Sequence, residues 1–399
     1  MRILLTGTTY YPALNGQAVF TVNLAEKLAQ RGHQVLVAVP SDEIHACRRE
    51  RKGVQIECVE SMSMKRWHQD AYISPFPGKA VEKILDDFQP EIVHIHDHYP
   101  LSRVFAIAAQ KRKIKSVGTN HFMPENLAAY ALWLSRMKPI FNWLMWQWML
   151  EVYNRVDIVT AQSQNAADLV RKQGLHPPVF PVSCGIDLNR FKPDPTIDRQ
   201  SCLERYGLDP TRKIFLFVGR VDGEKMLHIL LHAMAQLKRT DVQLAIAGRG
   251  SARKELIALA EELKLGDRVH FTGFIPNEDL HPLLNSADVF VMPSEAELLS
   301  LATLEAMACG RPVLLANAVA LPELVTEGVN GYLFKPSDPI DAAKYIDILA
   351  GECERWPAMG QASVEMAQFH GLDNTVTHYE ILYEHLLTGK PLADLQGQF

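Results

Sequence analysis

Short apolar runs alternate along the chain with longer stretches whose apolar residues recur at helical spacing. In the first half, the runs predict buried strands at Arg2 to Thr6, Gln34 to Val39, Gly53 to Val59, Ile92 to Ile95, Lys115 to Thr119 and Asp157 to Ala161. The second half repeats the pattern at Lys213 to Val218, Val242 to Ala247, Val269 to Thr272, Val289 to Met292, Pro312 to Ala316 and Tyr332 to Phe334. This alternation is typical of parallel, doubly wound α/β sheets, so the sequence predicts two of them with a cleft between.

The chain is large enough for two such domains. It has 399 residues with 47% hydrophobic content, which suffices for two cores. Phe191 to Asp198 carries two prolines among polar residues, the composition of a linker. No apolar run reaches the length of a membrane span, and the apolar core at the start is too short for a secretory signal, so we expect the mature chain to begin near Met1.

Cysteine usage and charge narrow the class of protein further. The six cysteines are scattered without C-x-x-C spacing, which indicates reduced thiols in a cytoplasmic protein and neither a disulfide framework nor a metal site. The formal net charge is -5, but residues 1–190 hold 22 Lys and Arg against 17 Asp and Glu, a balance of +5, so the remainder carries -10. An acidic chain without a base-stacking module is not expected to bind nucleic acid.

Two glutamates eight residues apart, Glu297 and Glu305, lie between an apolar strand and a stop at Gly310. Leu301 to Cys309 has helical composition, so one glutamate lies at a strand-to-helix junction and the other inside the helix. Eight helical residues span about 12 Å. That exceeds the roughly 5 to 9.5 Å between the two carboxyl groups of a glycoside hydrolase. The spacing suits two contacts on one long ligand; the alternative is a surface helix with two solvated glutamates.

Two other segments are suited to a diphosphate. Gly16 precedes the helical Phe20 to Gln30, and a glycine at a helix entry lets backbone N–H groups approach an anion. Arg220 and Lys225 follow a buried strand, where two cations at the carboxyl edge of a parallel sheet could neutralise a nucleotide diphosphate. The alternative for this pair is ordinary surface charge.

These segments together resemble a known family. The E-x7-E run from Glu297, the G-R-x-x-x-x-K run from Gly219 and the T-x-H run from Thr119 are similar to those of retaining GT-B glycosyltransferases of glycosyltransferase family 4. Within it the chain is closest in type to bacterial diacylglycerol glucosyltransferases. The resemblance implies two facing Rossmann-like domains with a donor cleft between them, and a final helix that packs back on the first domain.

The resemblance also implies domain boundaries and roles. We expect residues 1–190 to face the acceptor and the membrane, residues 191–370 to bind the nucleotide sugar, and residues 371–399 to return to the first domain. His121 and Glu297 would contact the donor sugar near the reaction centre. The residues implied for the rest of the donor are Gly16, Arg220, Lys225, the backbone near Ser300 and Leu301, and Glu305 for the ribose.

The chain departs from the family pattern at several positions. Asn15 replaces the usual second glycine of the first loop, a change we associate with lipid acceptors. Changes near the donor site bear on the identity of the sugar; they are Cys184, Met226, Ser300 and the segment Asn317 to Glu323. His94 and His96 have no nearby third metal ligand, so they are interpreted as cleft lining. No Asp-x-Asp triplet occurs, so we predict chemistry without metal or other cofactor.

An aromatic stretch is the candidate acceptor side. Trp133, Trp143, Trp146 and Trp148 fall among apolar residues that occupy more than one narrow helix face, so part of the stretch must be buried and part is free for lipid. Tryptophan prefers the membrane interface. The basic run Lys111, Arg112 and Lys113, with the one at Lys65 to Trp67, suits an anionic leaflet. The alternatives are tryptophans in the core and a solvated basic face.

Together these features predict transfer of a hexose, expected to be glucose, from a UDP-sugar to a membrane lipid such as 1,2-diacylglycerol, with retention at the anomeric carbon. We expect a protein peripheral to the inner face of the cytoplasmic membrane. One alternative is a family 4 transferase with a soluble sugar or metabolite acceptor. Another is a non-catalytic nucleotide-sugar binder that uses the aromatic stretch as a protein interface.

Overall fold

The chain divides into two compact units. The computed structural model describes residues 1–12, 15–64, 72–123, 138–391 and 395. Unit 1 comprises Met1–Gly185 and Leu372–Phe399, and unit 2 comprises Ile186–Gly371. The sequence had suggested boundaries after residues 190 and 370, a few residues from these.

Unit 1 alternates strands and helices, as its hydrophobic pattern predicts. Its elements before residue 186 are β1 Arg2–Thr6, α1 Gly16–Gln30, β2 Gln34–Pro40, β3 Cys47–Arg51, β4 Val54–Val59, β5 Met62–Ser63, β6 Tyr72–Ile73, α2 Gly78–Phe88, β7 Ile92–Ile95, α3 Pro100–Arg112, β8 Lys115–Asn120, α4 Lys138–Tyr153, β9 Ile158–Ala161, α5 Gln164–Lys172 and β10 Val179–Pro181. Strands β10, β9, β8, β7, β1, β2, β4 and β3 lie side by side in that order in one sheet.

Unit 2 repeats the α/β alternation around a sheet of its own. Its helices and strands are α6 Arg199–Arg205, β11 Lys213–Val218, α7 Leu227–Gln236, β12 Val242–Ala247, α8 Arg253–Glu262, β13 Val269–Gly273, α9 Asn277–Ser286, β14 Val289–Met292, α10 Leu301–Ala308, β15 Val313–Ala316, β16 Gly331–Phe334, α11 Pro339–Gly351 and α12 Trp356–Gln368. All neighbouring strands run parallel, in the order β13, β12, β11, β14, β15, β16.

The twelve predicted strands are all present, and the largest difference lies at the edge of the first sheet. Strand β3 runs antiparallel to β4 and reads Cys-Arg-Arg-Glu-Arg, whose polar side chains gave no apolar run to detect. It is joined to β4 by Lys52 and Gly53, both at positive φ, which is the turn that a two-residue hairpin requires. The short strand β10 was also missed.

A last helix, α13 Leu372–Thr388, completes unit 1. Its buried face includes Tyr379 and Tyr383, both fully enclosed. The Tyr379 hydroxyl lies 3.0 Å from the hydroxyls of both Thr119 and Thr160, at the carboxyl ends of β8 and β9. The helix therefore contributes polar contacts, as well as apolar area, to the core of the first sheet.

All six cysteines are free thiols, in agreement with the expectation from their spacing. Within the described parts of the chain, none of the helices combines the length and the apolar character that crossing a bilayer requires.

Candidate functional site

One group of candidate residues lies in unit 1, where the carboxyl ends of β1, β7 and β8 meet at one edge of the sheet. Asn15 caps α1: its side-chain oxygen accepts from the Ala18 amide at 2.9 Å and from the Thr9 hydroxyl at 3.2 Å. Gly16 opens the helix, and a Cβ added there would meet no atom of the described residues within 4 Å. The helix entry thus has open space beside it, which suits a bound anion.

A carboxylate that the sequence did not single out holds this loop in place. Asp97, which follows β7, accepts hydrogen bonds from the amide and hydroxyl of Thr8, from the Gln17 side chain at 3.1 Å and from the Tyr99 amide at 3.1 Å. These contacts tie the loop after β1 to the loop after β7. The signal in the sequence was present but ambiguous, because Asp97 is embedded in a run of histidines.

His94 and His96 share one face, as their alternation predicts, and for His94 the interpretation as cleft lining is wrong. Both side chains are fully buried, with ring centroids 4.3 Å apart. The two ring nitrogens of His94 bond to the Tyr383 hydroxyl at 2.7 Å and the Thr119 hydroxyl at 2.6 Å. Burial lowers the pKa of His94 well below its ordinary value, so it is a neutral core residue.

His121 follows β8 and packs against Phe20 and His96, with centroid distances of 4.9 and 5.7 Å. Burial lowers the pKa of His121 to about 3, so the ring is neutral at physiological pH. The Gln162 amide donates to Nδ1 at 2.6 Å, which leaves the ring proton on Nε2. Nε2 has no partner among the residues that the structure describes. His121 can therefore donate one neutral hydrogen bond to a ligand.

A second group of candidate residues lies in unit 2, after β11. Arg220 donates to the carboxylates of Asp222, at 3.1 Å, and Glu224. Asp222 is itself held by the amide and hydroxyl of Ser251, at 2.7 and 2.8 Å. The turn Gly223–Lys225 then brings the Lys225 ammonium to 3.7 Å from Glu224 Oε1, the same oxygen that Arg220 contacts. Two cations are thus fixed around one buried carboxylate.

Close backbone approach shapes this edge of the second sheet. Gly248 has φ +147°, and a Cβ there would lie 1.8 Å from the carbonyl oxygen of Gly219. A Cβ on Gly250 would lie 2.2 Å from the Val221 oxygen. Only glycine fits at both positions, so the loop after β12 lies directly on the Arg220 loop.

Glu297 lies between β14 and α10, and Glu305 lies within α10, as the sequence predicts. The Lys225 ammonium donates to Glu297 Oε1 at 2.5 Å, and Glu297 raises the pKa of Lys225 although burial alone would lower it. Ser300 caps α10, and its hydroxyl accepts from the Thr303 amide at 3.3 Å and hydroxyl at 2.7 Å. Because that hydroxyl is already engaged, the region of Ser300 and Leu301 can bind an anion through its backbone N–H groups.

Glu305 is in a different environment from Glu297. Burial raises the pKa of Glu305 to about 7, partly offset by Arg190. Its carboxylate makes no hydrogen bond to any described residue. A partly protonated carboxyl without a partner is ready to bond ligand hydroxyl groups.

Comparison with known proteins agrees with this architecture. A sequence profile described as Glycosyltransferase Family 4 matches residues 14–190, and one described as Glycosyl transferases group 1 matches residues 198–362. D-inositol 3-phosphate glycosyltransferase 1 of Catenulispora acidiphila is 30% identical over 311 residues, which are 75% of this chain and 73% of the relative. The chain belongs to the GT-B glycosyltransferases. The predicted GT-B fold and glycosyltransferase activity are confirmed, whereas the hexose and retention at the anomeric carbon stay predictions.

Other similar proteins differ in the substrates that their names give. GDP-mannose-dependent alpha-mannosyltransferase of Corynebacterium glutamicum is 28% identical over 87% of this glycosyltransferase and 81% of the relative. Among solved structures, sucrose-phosphate synthase of Thermosynechococcus elongatus has a TM-score of 0.80 at 21% identity, covering 98% of this chain and 100% of that one. Anabaena HepE in complex with UDP-glucose has a TM-score of 0.77 at 22% identity, with 96% and 100% covered. The closeness to diacylglycerol glucosyltransferases stays a prediction.

The acceptor-side candidates of this glycosyltransferase differ in burial. Trp143 is 59% exposed, whereas Trp146 is 5% exposed and therefore packs in the core instead of facing lipid. Trp148 packs edge-on against His98, with centroids 4.7 Å apart. Trp133 and the basic run Lys65 to Trp67 lie outside the described residues.

The basic run Lys111 to Lys113, at the end of α3, lies near the carboxyl end of α4 and not beside Trp143. Arg112 is engaged in ion pairs with Asp86, at 2.7 Å, and Glu82, so its charge is compensated within unit 1; Lys111 and Lys113 are exposed. Arg155, just beyond α4, donates to Gln110 at 3.3 Å, so this run lies near the end of α4. Trp143 lies ten residues before that end, about 15 Å along the axis.

Proposed function

We propose that this glycosyltransferase moves a hexose, expected to be glucose, from a UDP-sugar to a hydroxyl group of a membrane lipid such as 1,2-diacylglycerol, with retention at the anomeric carbon and without a metal ion. The observation that carries the proposal is the contact of Lys225 with Glu297 beside Arg220. It joins a pair of cations suited to a diphosphate with a carboxylate suited to sugar hydroxyls.

The chemistry follows from the charges. Breaking the bond between the anomeric carbon and the diphosphate oxygen leaves negative charge on the diphosphate. Arg220, Lys225 and the backbone amides at the start of α10 stabilise that charge, and these groups are already positioned before the reaction begins. The acceptor oxygen then forms its bond on the same face of the sugar, and its proton passes to the departing diphosphate oxygen.

His121 and Glu297 are proposed to hold the sugar. His121 offers Nε2–H as a donor, and Glu297 is an acceptor that a sugar hydroxyl can reach in exchange for Lys225. Glu305 is proposed to accept the hydroxyl groups of the ribose. In this proposal the three side chains contact different parts of the donor, and no two of them form an acid and base pair.

A nucleotide sugar as donor is supported by the HepE complexes with UDP and UDP-glucose. UDP is the proposed nucleotide on the same ground, although the Corynebacterium relative is named for GDP-mannose. The lipid acceptor rests on the exposed face of α4: Ile140, Trp143 and Leu144 are 56%, 59% and 49% exposed and recur at helical spacing.

A second candidate is transfer to a soluble acceptor. It is favoured by the names of several relatives, D-inositol 3-phosphate glycosyltransferases, one of them from Frankia alni at 28% identity over 95% of this chain. The two candidates share the donor chemistry and differ only in the molecule that supplies the attacking hydroxyl.

The experiment is a turnover panel. The enzyme is incubated with UDP-glucose, UDP-galactose, GDP-mannose or ADP-glucose, together with diacylglycerol vesicles or inositol phosphate, with and without EDTA, and products are identified by mass spectrometry. We expect a glucosylated lipid, the same rate in EDTA, and loss of at least a hundredfold in kcat for Glu297→Ala. Full activity of Glu297→Ala would refute the site, and product only on inositol phosphate would establish the second candidate.

A further inference from the structure

The contact between Lys225 and Glu297 joins two residues that meet different parts of the proposed donor. Lys225 is assigned to the diphosphate and Glu297 to the sugar, yet in this structure they bind each other at 2.5 Å. Their side chains are only 15% and 12% exposed, so water compensates little for a change of partner. Whatever occupies the diphosphate position therefore changes the environment of Glu297.

The contact belongs to a cluster of ion pairs. Among the described residues, Arg220 pairs with Asp222 and Glu224, and Lys225 pairs with Glu224 and Glu297. Glu224 has one carboxylate oxygen buried without a partner among the described residues. An arriving diphosphate therefore competes directly with Glu297 for Lys225.

A nucleoside diphosphate and a nucleotide sugar place different chemical groups beside this cluster. The hydroxyl groups of the sugar can donate to Glu297 and so replace its hydrogen bond from Lys225. A nucleoside diphosphate brings none, and its terminal phosphate takes a further negative charge above about pH 6. With the nucleoside diphosphate bound, Glu297 is left as a poorly solvated carboxylate beside an anion, which costs binding free energy.

We propose that Glu297, through its ion pair with Lys225, makes the site select the intact nucleotide sugar over the nucleoside diphosphate that the reaction releases. This inference rests on the proposed function, because it takes Lys225 as a diphosphate ligand. Its consequence is that glycosyl transfer itself weakens retention of the product, since the hydroxyl groups that compensated Glu297 leave with the acceptor.

The test compares two dissociation constants, measured by titration calorimetry with UDP and UDP-glucose on the full chain. In Glu297→Gln we expect UDP to bind about tenfold tighter and UDP-glucose several-fold weaker, so that the ratio of the UDP constant to the UDP-glucose constant falls at least tenfold. If Glu297 had a purely structural role, Glu297→Gln would weaken the binding of UDP and of UDP-glucose by similar factors.

A matched control lies two residues away. Glu295 accepts from the Ser337 hydroxyl at 2.5 Å and does not contact Lys225. Glu295→Gln removes the same charge from the same loop, and we expect the ratio to stay within twofold of the wild-type value. An equal change in the ratio for both variants would overturn the proposal, because general electrostatics would then account for it.

Lys225→Met separates this inference from the proposed function. We expect it to weaken both ligands, and we expect Glu297→Gln on that background to change the ratio less than twofold, because the pair is already broken. Unchanged UDP binding in Lys225→Met would refute the proposed diphosphate site itself. Weaker binding in Lys225→Met with an unchanged ratio in Glu297→Gln would refute only the selection by Glu297.

Discussion

Glu305 gives a test at the residue scale that does not depend on its role in binding. Its folded-state pKa of about 7 lies above the value near 4.5 of a solvated glutamate, so between these pH values the folded protein holds more proton than the unfolded chain. The free energy of unfolding should therefore fall as pH rises through this window.

Glu305→Gln removes that dependence. We expect the variant to gain stability relative to wild type between pH 5 and pH 8, on the order of 2 kcal/mol at the upper end. Urea denaturation at several pH values measures this, with Glu354→Gln, an exposed glutamate in the same unit, as control. Parallel pH profiles for wild type and Glu305→Gln would contradict the assigned environment.

Single residues were predicted well where a motif fixed their type and poorly where burial decided their role. The sequence placed Glu297 and Glu305 correctly relative to β14 and α10, since both positions follow from the boundaries of the strand and the helix. It could not tell Trp143 from Trp146, because the apolar residues of α4 surround the helix. Nor could it show that Arg112 is paired, since Glu82 and Asp86 are distant in sequence.

At the scale of elements, α13 makes a prediction of its own. Tyr379→Phe keeps the ring and removes the hydroxyl that bonds Thr119 and Thr160 within the core of unit 1. We expect a loss of roughly 1 to 2 kcal/mol in the free energy of unfolding, measured by denaturant titration. Tyr345→Phe is the matched control: its ring stacks on Tyr332 in unit 2, and we expect its loss to stay below about 0.5 kcal/mol.

Strands were the elements that the sequence predicted best. A parallel strand buried on both faces reads as a continuous apolar run, so β1, β7, β11, β12 and β14 were found with their exact ends. An edge strand has no such requirement, and the arginines of β3 hid it. The polar network between α13 and the first sheet was equally hidden, because Thr119 and Tyr379 are 260 residues apart.

For the whole molecule, the exposed face of α4 allows a test of binding to a lipid surface. Trp143→Ser with Leu144→Ser removes two exposed apolar side chains, and we expect at least a tenfold loss of binding to phosphatidylglycerol vesicles in a sedimentation assay. Phe369→Ser is the control, since Phe369 is 78% exposed in unit 2 and plays no part in the proposal. Equal losses would indicate nonspecific adsorption.

Because the chain is synthesised from its amino end, the return of α13 to unit 1 affects the order in which the two units can fold. The chain leaves unit 1 after Gly185, completes all of unit 2 and comes back at Leu372. During translation, the second sheet can therefore close while the first still lacks the helix that partners His94 and Thr119. A chain that has not yet released α13 therefore lacks the Tyr383 hydroxyl that bonds His94 and the Tyr379 hydroxyl that bonds Thr119.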